Sequence, residues 1–142
     1  ILNGEMKIHK SYMSRMGISD NEIEKVKLSL TNLSYTSYML NVAEHGDETA
    51  GLAAILSCAI SYEFIGKWIA ENYPQSVNHE FYGEWVSGYS GEEYANANRK
   101  LENLMNKLCE NISDEKAKKL IDIFVICSEY EYKFWDMAWN ME

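Results

Sequence analysis

The sequence has 142 residues, of which 46% are hydrophobic and 25% charged, a balance that predicts one soluble globular domain with its own core. Its net charge of −9, with no basic run, argues against nucleic-acid binding because a phosphate backbone would be repelled. Three widely spaced cysteines argue against a disulfide framework or a zinc cluster, and reduced thiols fit a cytoplasmic protein.

The N-terminal part of the chain predicts two helices. Apolar side chains recur at three- and four-residue steps over residues 1–16, and Gly17 is the expected end of that helix. Ser19 followed by Glu22 is a capping-box pattern, which predicts a short second helix. There is no initiating Met and no apolar region of the kind found in signal peptides. Because the sequence lacks that Met and also begins inside a predicted helix, we expect the chain to be a fragment of a longer protein.

Two longer helices are predicted in the middle of the chain. The first covers residues 30–46, with Thr31 or Asn32 as its N-cap. The second covers residues 48–73 and is followed by Pro74, the single proline. Small residues crowd its first half, so a neighbouring backbone could approach closely or a ligand could find room. No stretch is expected to span a membrane.

The remaining sequence predicts three more helices. One covers residues 78–89, the next begins at Ser90 with Glu93 in the capping-box position, and the last begins after Ser113. The chain has only one Pro and eight Gly, which favours long helices over strands and their turns. The predicted fold is an all-α bundle of six or seven helices in a single domain over residues 1–142.

Cys58 is the first candidate for chemistry. It lies in the segment AILSCAISYEF, in the middle of the helix predicted over residues 48–73. Its thiolate would be a strong nucleophile, although only a small fraction of an ordinary thiol is ionised at neutral pH. Packing in the core is the commoner role of a helical cysteine, so the pattern leaves both roles open.

Glu131 is the second candidate, because it interrupts the apolar stripe of the last predicted helix. Its neighbours Tyr130, Phe134 and Trp135 are aromatic. Burial among such rings disfavours a charged carboxylate and would make Glu131 a general acid usable near neutral pH. A solvated position beside the stripe explains the pattern equally well.

Three tyrosines come from three different predicted helices and could stack on a ligand or donate a hydrogen bond, although core packing is the simpler role for each. They are Tyr35, Tyr62 and Tyr89. No cofactor is expected. The Glu-x-x-His pairs of di-iron bundles are absent, Glu5 and His9 are four residues apart, and only His9 lies on an apolar face where a haem ligand would be needed.

Four segments together resemble the TenA, or thiaminase II, family, and the resemblance spans nearly the whole chain. They are SYTSYML, LSCAISYEFIG, HEFYGEWVSGYS and SEYEYKFWDMAW. The resemblance implies a haem-oxygenase-like helical bundle that binds no haem and assembles as a homotetramer. It also implies hydrolysis of 4-amino-5-aminomethyl-2-methylpyrimidine in thiamine salvage and, in many members, cleavage of thiamine itself.

The resemblance also implies roles for particular residues. Cys58 matches the family nucleophile, Glu131 matches the acid/base, and Phe134 is expected to help wall the pyrimidine. The family's pocket tyrosines are matched by Tyr35, Tyr62 and Tyr89.

The sequence departs from the family pattern in two ways. Ser57, Ala59 and Ile60 stand where the family often has Pro before the cysteine and aromatic residues after it. Family chains also begin several helices earlier, with an aspartate and an aromatic partner that grip the pyrimidine, and nothing in this sequence matches those two residues.

Two other functions stay open at this point. A pyrimidine-binding or regulatory protein could use the same scaffold, since TenA-type proteins have been described as transcriptional activators, although the charge of −9 weighs against direct DNA contact. A metal- or haem-dependent oxidase could share the helical bundle, but it would need a cofactor.

Overall fold

The computed structural model describes the backbone of residues 2–142 and the side chains of residues 6–142. Its described residues form helices and no strand, which confirms the predicted all-α class. A short 3₁₀ helix, Pro74–Asn78, lies between α4 and α5. The seven α-helices are α1 (Leu2–Arg15), α2 (Asp20–Lys25), α3 (Leu30–His45), α4 (Glu48–Asn72), α5 (Gly83–Ser90), α6 (Glu92–Leu108) and α7 (Asp114–Asn140).

Several predicted helix ends are confirmed by their capping hydrogen bonds. Ser19 and Glu22 form the reciprocal bonds of a capping box at the start of α2. The Ser113 hydroxyl accepts a hydrogen bond from the backbone N–H of Lys116 at the start of α7. Gly17 follows α1 with φ of +74°, a left-handed conformation that glycine adopts without steric cost.

Two predicted N-caps are wrong. Ser29 caps α3 in place of Thr31 or Asn32, because its hydroxyl already accepts the backbone N–H of Asn32 at 3.1 Å. Ser90 does not begin α6 but ends α5, and Gly91 is the N-cap of α6 without a side-chain hydrogen bond. Only Gly91 separates the two helices. Ser90 is still part of α5 and therefore cannot serve as the N-cap of α6.

The helix predicted over residues 78–89 is also displaced, because α5 begins only at Gly83. The 3₁₀ turn ends at Asn78, and His79 then folds back on the chain. Its Nδ1 accepts hydrogen bonds from the backbone N–H groups of Phe81 and Tyr82, both at 3.1 Å. These hydrogen bonds hold residues 79–82 in a turn, so that α5 begins only after them.

Helix α4 is the centre of the bundle and packs against α3, α5, α6 and α7. Its buried face carries small residues, including Ala53, Ala54 and Ala59. At Gly66 the backbone of α5 comes so close that an added Cβ would lie 2.7 Å from the Cβ of Tyr89. This close approach lies in the second half of α4, outside the run of small residues that the sequence singled out, and an added Cβ at Gly51 within that run would meet nothing within 4 Å.

The expectation that no stretch could span a membrane is wrong for α4 by length and composition. Its most apolar 18-residue window has a mean hydropathy of 1.4. Half of that window is buried inside the bundle. A buried core helix meets the same length and composition test, and the central place of α4 accounts for its apolar character.

Candidate active site

The structure joins two candidate residues directly in a polar pair, Tyr35 of α3 and Glu131 of α7. The Tyr35 hydroxyl donates a hydrogen bond of 2.7 Å to Oε1 of Glu131. Tyr35 is 7% exposed and Glu131 is 8% exposed, so the pair lies almost entirely out of solvent. Of the two positions that the sequence left open for Glu131, the buried one is confirmed.

The surroundings of the polar pair favour a neutral tyrosine. Burial, followed by the hydrogen bond and the charge of Glu131, raises the pKa of Tyr35 well above its ordinary range. The ring of Tyr130 stacks on the ring of Tyr35 with centroids 5.2 Å apart and planes 11° apart. The Tyr130 hydroxyl in turn lies 3.0 Å from Oγ of Ser34. The pair is therefore fixed by ring packing as well as by its hydrogen bond.

Ser57 and Cys127 complete the polar lining beside the pair. The Ser57 hydroxyl is buried, donates to the carbonyl oxygen of Ala54 at 3.0 Å, and lies within hydrogen-bonding reach of Tyr35 and Cys127. Cys127 is fully buried one helical turn before Glu131, and that burial raises the pKa of its thiol. A buried thiol of raised pKa stays protonated and inert near neutral pH.

Cys58 lies on α4 directly after Ser57 and is half-buried. Its charge, when ionised, contributes to the raised pKa of Tyr35, after burial and the effects of Glu131. Because α4 packs against α7, the nucleophile candidate and the acid candidate come from neighbouring helices. Cys58 is therefore more accessible than Cys127 and lies on a helix that packs directly against the helix of Glu131.

The other two tyrosines belong to an aromatic cluster of Tyr62, Trp85, Tyr89 and Trp135. Tyr62 lies four residues after Cys58 on α4, and its ring centroid is 4.9 Å from that of Tyr89 and 6.0 Å from that of Trp85. Trp135 lies four residues after Glu131 on α7, with its ring 6.1 Å from Tyr62. The cluster is therefore one helical turn from both Cys58 and Glu131.

Phe134 joins this cluster at its edge, with its ring centroid 6.1 Å from that of Trp135. The sequence reasoning did not assign Trp85, Trp135, Tyr130 or Ser57 to the site. Helical spacing contains the signal for the two tryptophans, because each lies four residues from an assigned residue, Tyr89 or Glu131. Tyr130 and Ser57 each adjoin an assigned residue, but their tertiary contacts decide their role.

A cleft of about 650 Å³ opens on the surface of the bundle, and neither Tyr35 nor Glu131 lines it. It borders the aromatic cluster through Trp85 and Trp135 and extends to α1 and to the turn after α4. His9, which the sequence placed on an apolar face, is exposed and lines this cleft. The size of a cavity alone would therefore have directed attention away from Cys58 and Glu131.

Within residues 6–142, no group of three or more His, Cys, Asp or Glu side chains is arranged to hold a metal ion. The side chain of Glu5, considered with His9, lies outside the described residues. The chemistry that this region can perform uses its own side chains. A carboxyl group kept from water by Tyr35 can deliver a proton, and a thiolate from α4 can attack a carbon held against the aromatic rings.

Comparison with known proteins identifies one family and relatives that are named for the same function. A model of the TENA/THI-4/PQQC family matches residues 1–141. An aminopyrimidine aminohydrolase of Halalkalibacterium halodurans is 40% identical over 139 residues, which are 98% of this chain and 62% of that protein. One of Helicobacter pylori is 40% identical over 140 residues, 99% of this chain and 64% of that protein. The chain thus spans less than two thirds of the length of these relatives.

Solved structures agree with the fold. A TenA homologue from P. horikoshii matches with a TM-score of 0.80 and 27% identity, covering 96% of this chain and 62% of that one. A TenA family transcription regulator from a Silicibacter species matches with a TM-score of 0.82 and 27% identity, covering 94% of this chain and 60% of that one. These matches confirm the expected TenA-like, haem-oxygenase-like helical bundle.

Proposed function

The chain belongs to the TENA/THI-4/PQQC family, and from this premise we propose that the protein is an aminopyrimidine aminohydrolase that uses Cys58 as nucleophile and Glu131 as general acid/base. The observation that carries the proposal is the buried hydrogen bond from Tyr35 to Glu131, formed beside the helix that bears Cys58. The names of the relatives from Halalkalibacterium halodurans and Helicobacter pylori support the same reaction class. The substrate is 4-amino-5-aminomethyl-2-methylpyrimidine, and thiamine is a second candidate substrate.

The reaction begins with activation of the pyrimidine. An aminopyrimidine is a poor electrophile until a ring nitrogen is protonated. Tyr35 occupies Oε1 of Glu131, so Oε2 delivers this proton. The Cys58 thiolate then forms a carbon–sulfur bond to the activated ring.

The remaining steps exchange the leaving group for water. Electrons from the ring of the thiol adduct break the bond between the methylene carbon and its protonated amino group, which leaves as ammonia. When thiamine is bound, they break the bond to the thiazolium nitrogen, and the neutral thiazole leaves. Water adds to the exposed methylene carbon, the carbon–sulfur bond breaks, and the thiolate and the carboxyl group are regenerated. The sum is aminomethylpyrimidine plus water giving hydroxymethylpyrimidine plus ammonia, with no change of oxidation state.

Binding of the flat substrate is assigned to the aromatic side chains. Tyr62, Tyr89 and Phe134 supply faces on which a pyrimidine ring can stack, while the Tyr35 hydroxyl orients the acid. Stacking fixes the plane of the ring and so fixes the approach of the Cys58 sulfur. Among the tyrosines, only Tyr35 is assigned a part in proton transfer.

We extend the proposal to the assembly and the location of the protein. Residues 1–142 act as one domain of a cytoplasmic homotetramer. One face of α7 exposes Ile121, Val125 and Tyr132, apolar side chains that a neighbouring subunit could cover. Light scattering on the purified protein tests the assembly, and a monomer at micromolar concentration would contradict it.

The reaction is tested by ammonia release from the aminomethylpyrimidine, using protein expressed from its complete gene. The key variant is Glu131→Gln, and its matched control is Glu129→Gln, an exposed carboxylate two residues earlier on α7. We expect Glu131→Gln to lower kcat by about 100-fold or more, as loss of a general acid does, and Glu129→Gln to leave it unchanged. Wild-type turnover by Glu131→Gln would rule out its role as the acid.

A regulatory function is the second candidate, favoured by the name of the Silicibacter relative. The net charge of −9 opposes direct DNA contact, so such a protein would act through a bound pyrimidine or a partner. Tight DNA binding at low salt, together with no ammonia release by the wild-type protein, would make this the better account.

A further inference from the structure

Asn98 of α6 is a buried polar residue that the proposed reaction does not use. It is 1% exposed, and its amide reaches across to α4. Its Nδ2 donates one hydrogen bond of 2.8 Å to the carbonyl oxygen of Ala59 and another of 2.7 Å to Oε2 of Glu63. A single side chain therefore links α6 to two points on the central helix.

The orientation of this amide is fixed by its partners. The Ala59 carbonyl and the Glu63 carboxylate accept hydrogen bonds, so only the NH₂ group of Asn98 can face them. Its Oδ1 is buried without a hydrogen-bond partner among the described residues. The two donated hydrogen bonds therefore turn the amide towards α4 and fix the orientation of its side chain.

The two contact points each lie one residue after a candidate site residue of α4. Ala59 directly follows Cys58, and Glu63 directly follows Tyr62. Asn98 thus holds the residue next to Cys58 and the residue next to Tyr62, one helical turn apart.

Glu63 is itself held in place. Its Oε1 pairs with Lys67 one turn later on α4, while Oε2 accepts from Asn98. Although partial burial opposes ionisation, the hydrogen bonds from Lys67 and Asn98 hold the pKa of Glu63 below its ordinary range. The second contact point is therefore a charged acceptor near neutral pH, and hydrogen bonds to charged groups are stronger than neutral ones.

We propose that Asn98 is a positioning residue that fixes the Cys58–Tyr62 turn of α4, so that the thiol meets a pyrimidine ring held against the tyrosine. This inference rests on the proposed function. Attack on the ring needs the sulfur within a few tenths of an ångström of its productive place, and a displacement of about 1 Å can lower the rate by about 100-fold. Tyr62 belongs to the same turn. However, Tyr89 and Phe134 do not depend on Asn98 and still contact the ring, so KM is expected to change less than kcat.

The test compares two asparagines of α6, Asn98 and the exposed Asn96. Ammonia release by Asn98→Ala and by Asn96→Ala is measured at a temperature where circular dichroism shows both variants folded. We expect Asn98→Ala to lower kcat by at least about tenfold with KM changed less than about twofold, and Asn96→Ala to match the wild type. An unchanged kcat in folded Asn98→Ala would overturn the proposal.

A second readout does not depend on the substrate. The rate and pH profile of Cys58 alkylation by iodoacetamide are followed by peptide mass spectrometry in a Cys109→Ser background. We expect Asn98→Ala to change the rate by at least about threefold and to move the profile, because the thiol leaves its fixed surroundings. Alkylation identical to that of the wild type would contradict positioning.

The two measurements separate this proposal from the proposed function. If the wild-type protein releases no ammonia, the proposed reaction fails, while the alkylation experiment still decides whether Asn98 holds Cys58. If Asn98→Ala does not fold, Asn98→Ser replaces it. That side chain is too short to reach both acceptors but leaves no unpaired amide oxygen, and the same thresholds apply.

Discussion

The two sides of helix α4 differ in how they use their polar and aromatic residues. Towards α3 and α7, the polar pair Tyr35–Glu131 is nearly inaccessible to solvent and joined by a 2.7 Å hydrogen bond. Towards α5, the aromatic cluster is built of rings in tilted contact, and its member Trp135 is 43% exposed and lines the large cleft. One side is closed and polar, and the other is aromatic, with Tyr89 buried at 5% exposure and Trp135 open to the cleft.

This difference corresponds to two requirements of the proposed reaction. Proton delivery is efficient when a carboxyl group is held away from water in one orientation. Recognition of a flat ring needs aromatic faces that a substrate can reach. If the two sides divide these tasks, damage to the polar pair lowers kcat and damage to the aromatic cluster raises KM.

The largest of the effects in this comparison is expected from Tyr35→Phe. The change removes one hydroxyl and leaves Oε1 of Glu131 without its donor, so we expect kcat to fall by about 100-fold with KM nearly unchanged. The buried acceptor left behind costs about 1–3 kcal/mol of unfolding free energy. Steady-state kinetics and urea denaturation measure both effects, with Tyr38→Phe as the control from the same helix. A rise in KM larger than the fall in kcat would contradict the assignment of catalysis to the polar pair and of binding to the aromatic cluster.

The polar pair also predicts a pH dependence of stability. Because the pKa of Tyr35 is raised in the folded protein, its contribution is complete below about pH 10, where an unfolded tyrosine begins to ionise, and is lost as the pH rises further. We expect the unfolding free energy of the wild type to fall above about pH 10 and that of Tyr35→Phe to fall less steeply. Parallel curves would show that Tyr35 ionises as easily in the folded state as in the unfolded one.

Gly66→Ala tests the aromatic side of the comparison. The new Cβ would lie 2.7 Å from the Cβ of Tyr89 and 2.9 Å from its backbone carbon, so α4 and α5 must separate. We expect the free energy of unfolding to fall by about 1–3 kcal/mol, because the packed helices are forced apart. We also expect KM to rise, because Tyr89 shifts relative to Tyr62. Gly51→Ala in the same helix is the control. Its Cβ would meet nothing within 4 Å, so it should stabilise α4 by about 0.5–1 kcal/mol.

The sequence predicted the helices correctly where their ends depend only on residues a few positions away. Apolar spacing and the caps at Ser19 and Ser113 predicted α2 and α7 because a cap is satisfied by residues three positions away. The start of α5 could not be predicted, because His79 binds backbone groups that a helix would otherwise use.

The site was predictable only in part for the same reason. The pattern singled out Cys58 and Glu131 as candidates, resemblance to a family implied their roles, and periodicity left the burial of Glu131 undecided. The hydrogen bond to Tyr35 joins residues 96 positions apart, and no local pattern encodes such a pairing. The role of Asn98 could not be predicted from the sequence either, because it depends on a contact with the carbonyl group of Ala59 on α4.

The smallest effect is expected from Asp47, which lies outside both regions. Its side chain accepts from the backbone N–H groups of Thr49 and Ala50 at the start of α4 and pairs with Lys116 of α7. Hydrogen bonds from Lys116 and Thr49 hold its pKa below the ordinary range, so its stabilising effect is present above about pH 4 and is lost as the pH falls. We expect Asp47→Ala to lower the melting temperature by a few degrees at pH 7 without changing kcat or KM, and Asp47→Asn, which still caps, to lower it less. A change in kinetics would mean that the start of α4 also controls the site.

The central claim is that the sulfur of Cys58 is the reagent of this site. The direct measurement is ammonia release from 4-amino-5-aminomethyl-2-methylpyrimidine by the wild type, by Cys58→Ala and by Cys109→Ala, a half-buried cysteine at the end of α6. We predict that Cys58→Ala loses turnover by about 1000-fold or more while keeping its helical spectrum, and that Cys109→Ala retains it. Normal ammonia release by Cys58→Ala would reduce Cys58 to packing and contradict the proposed mechanism.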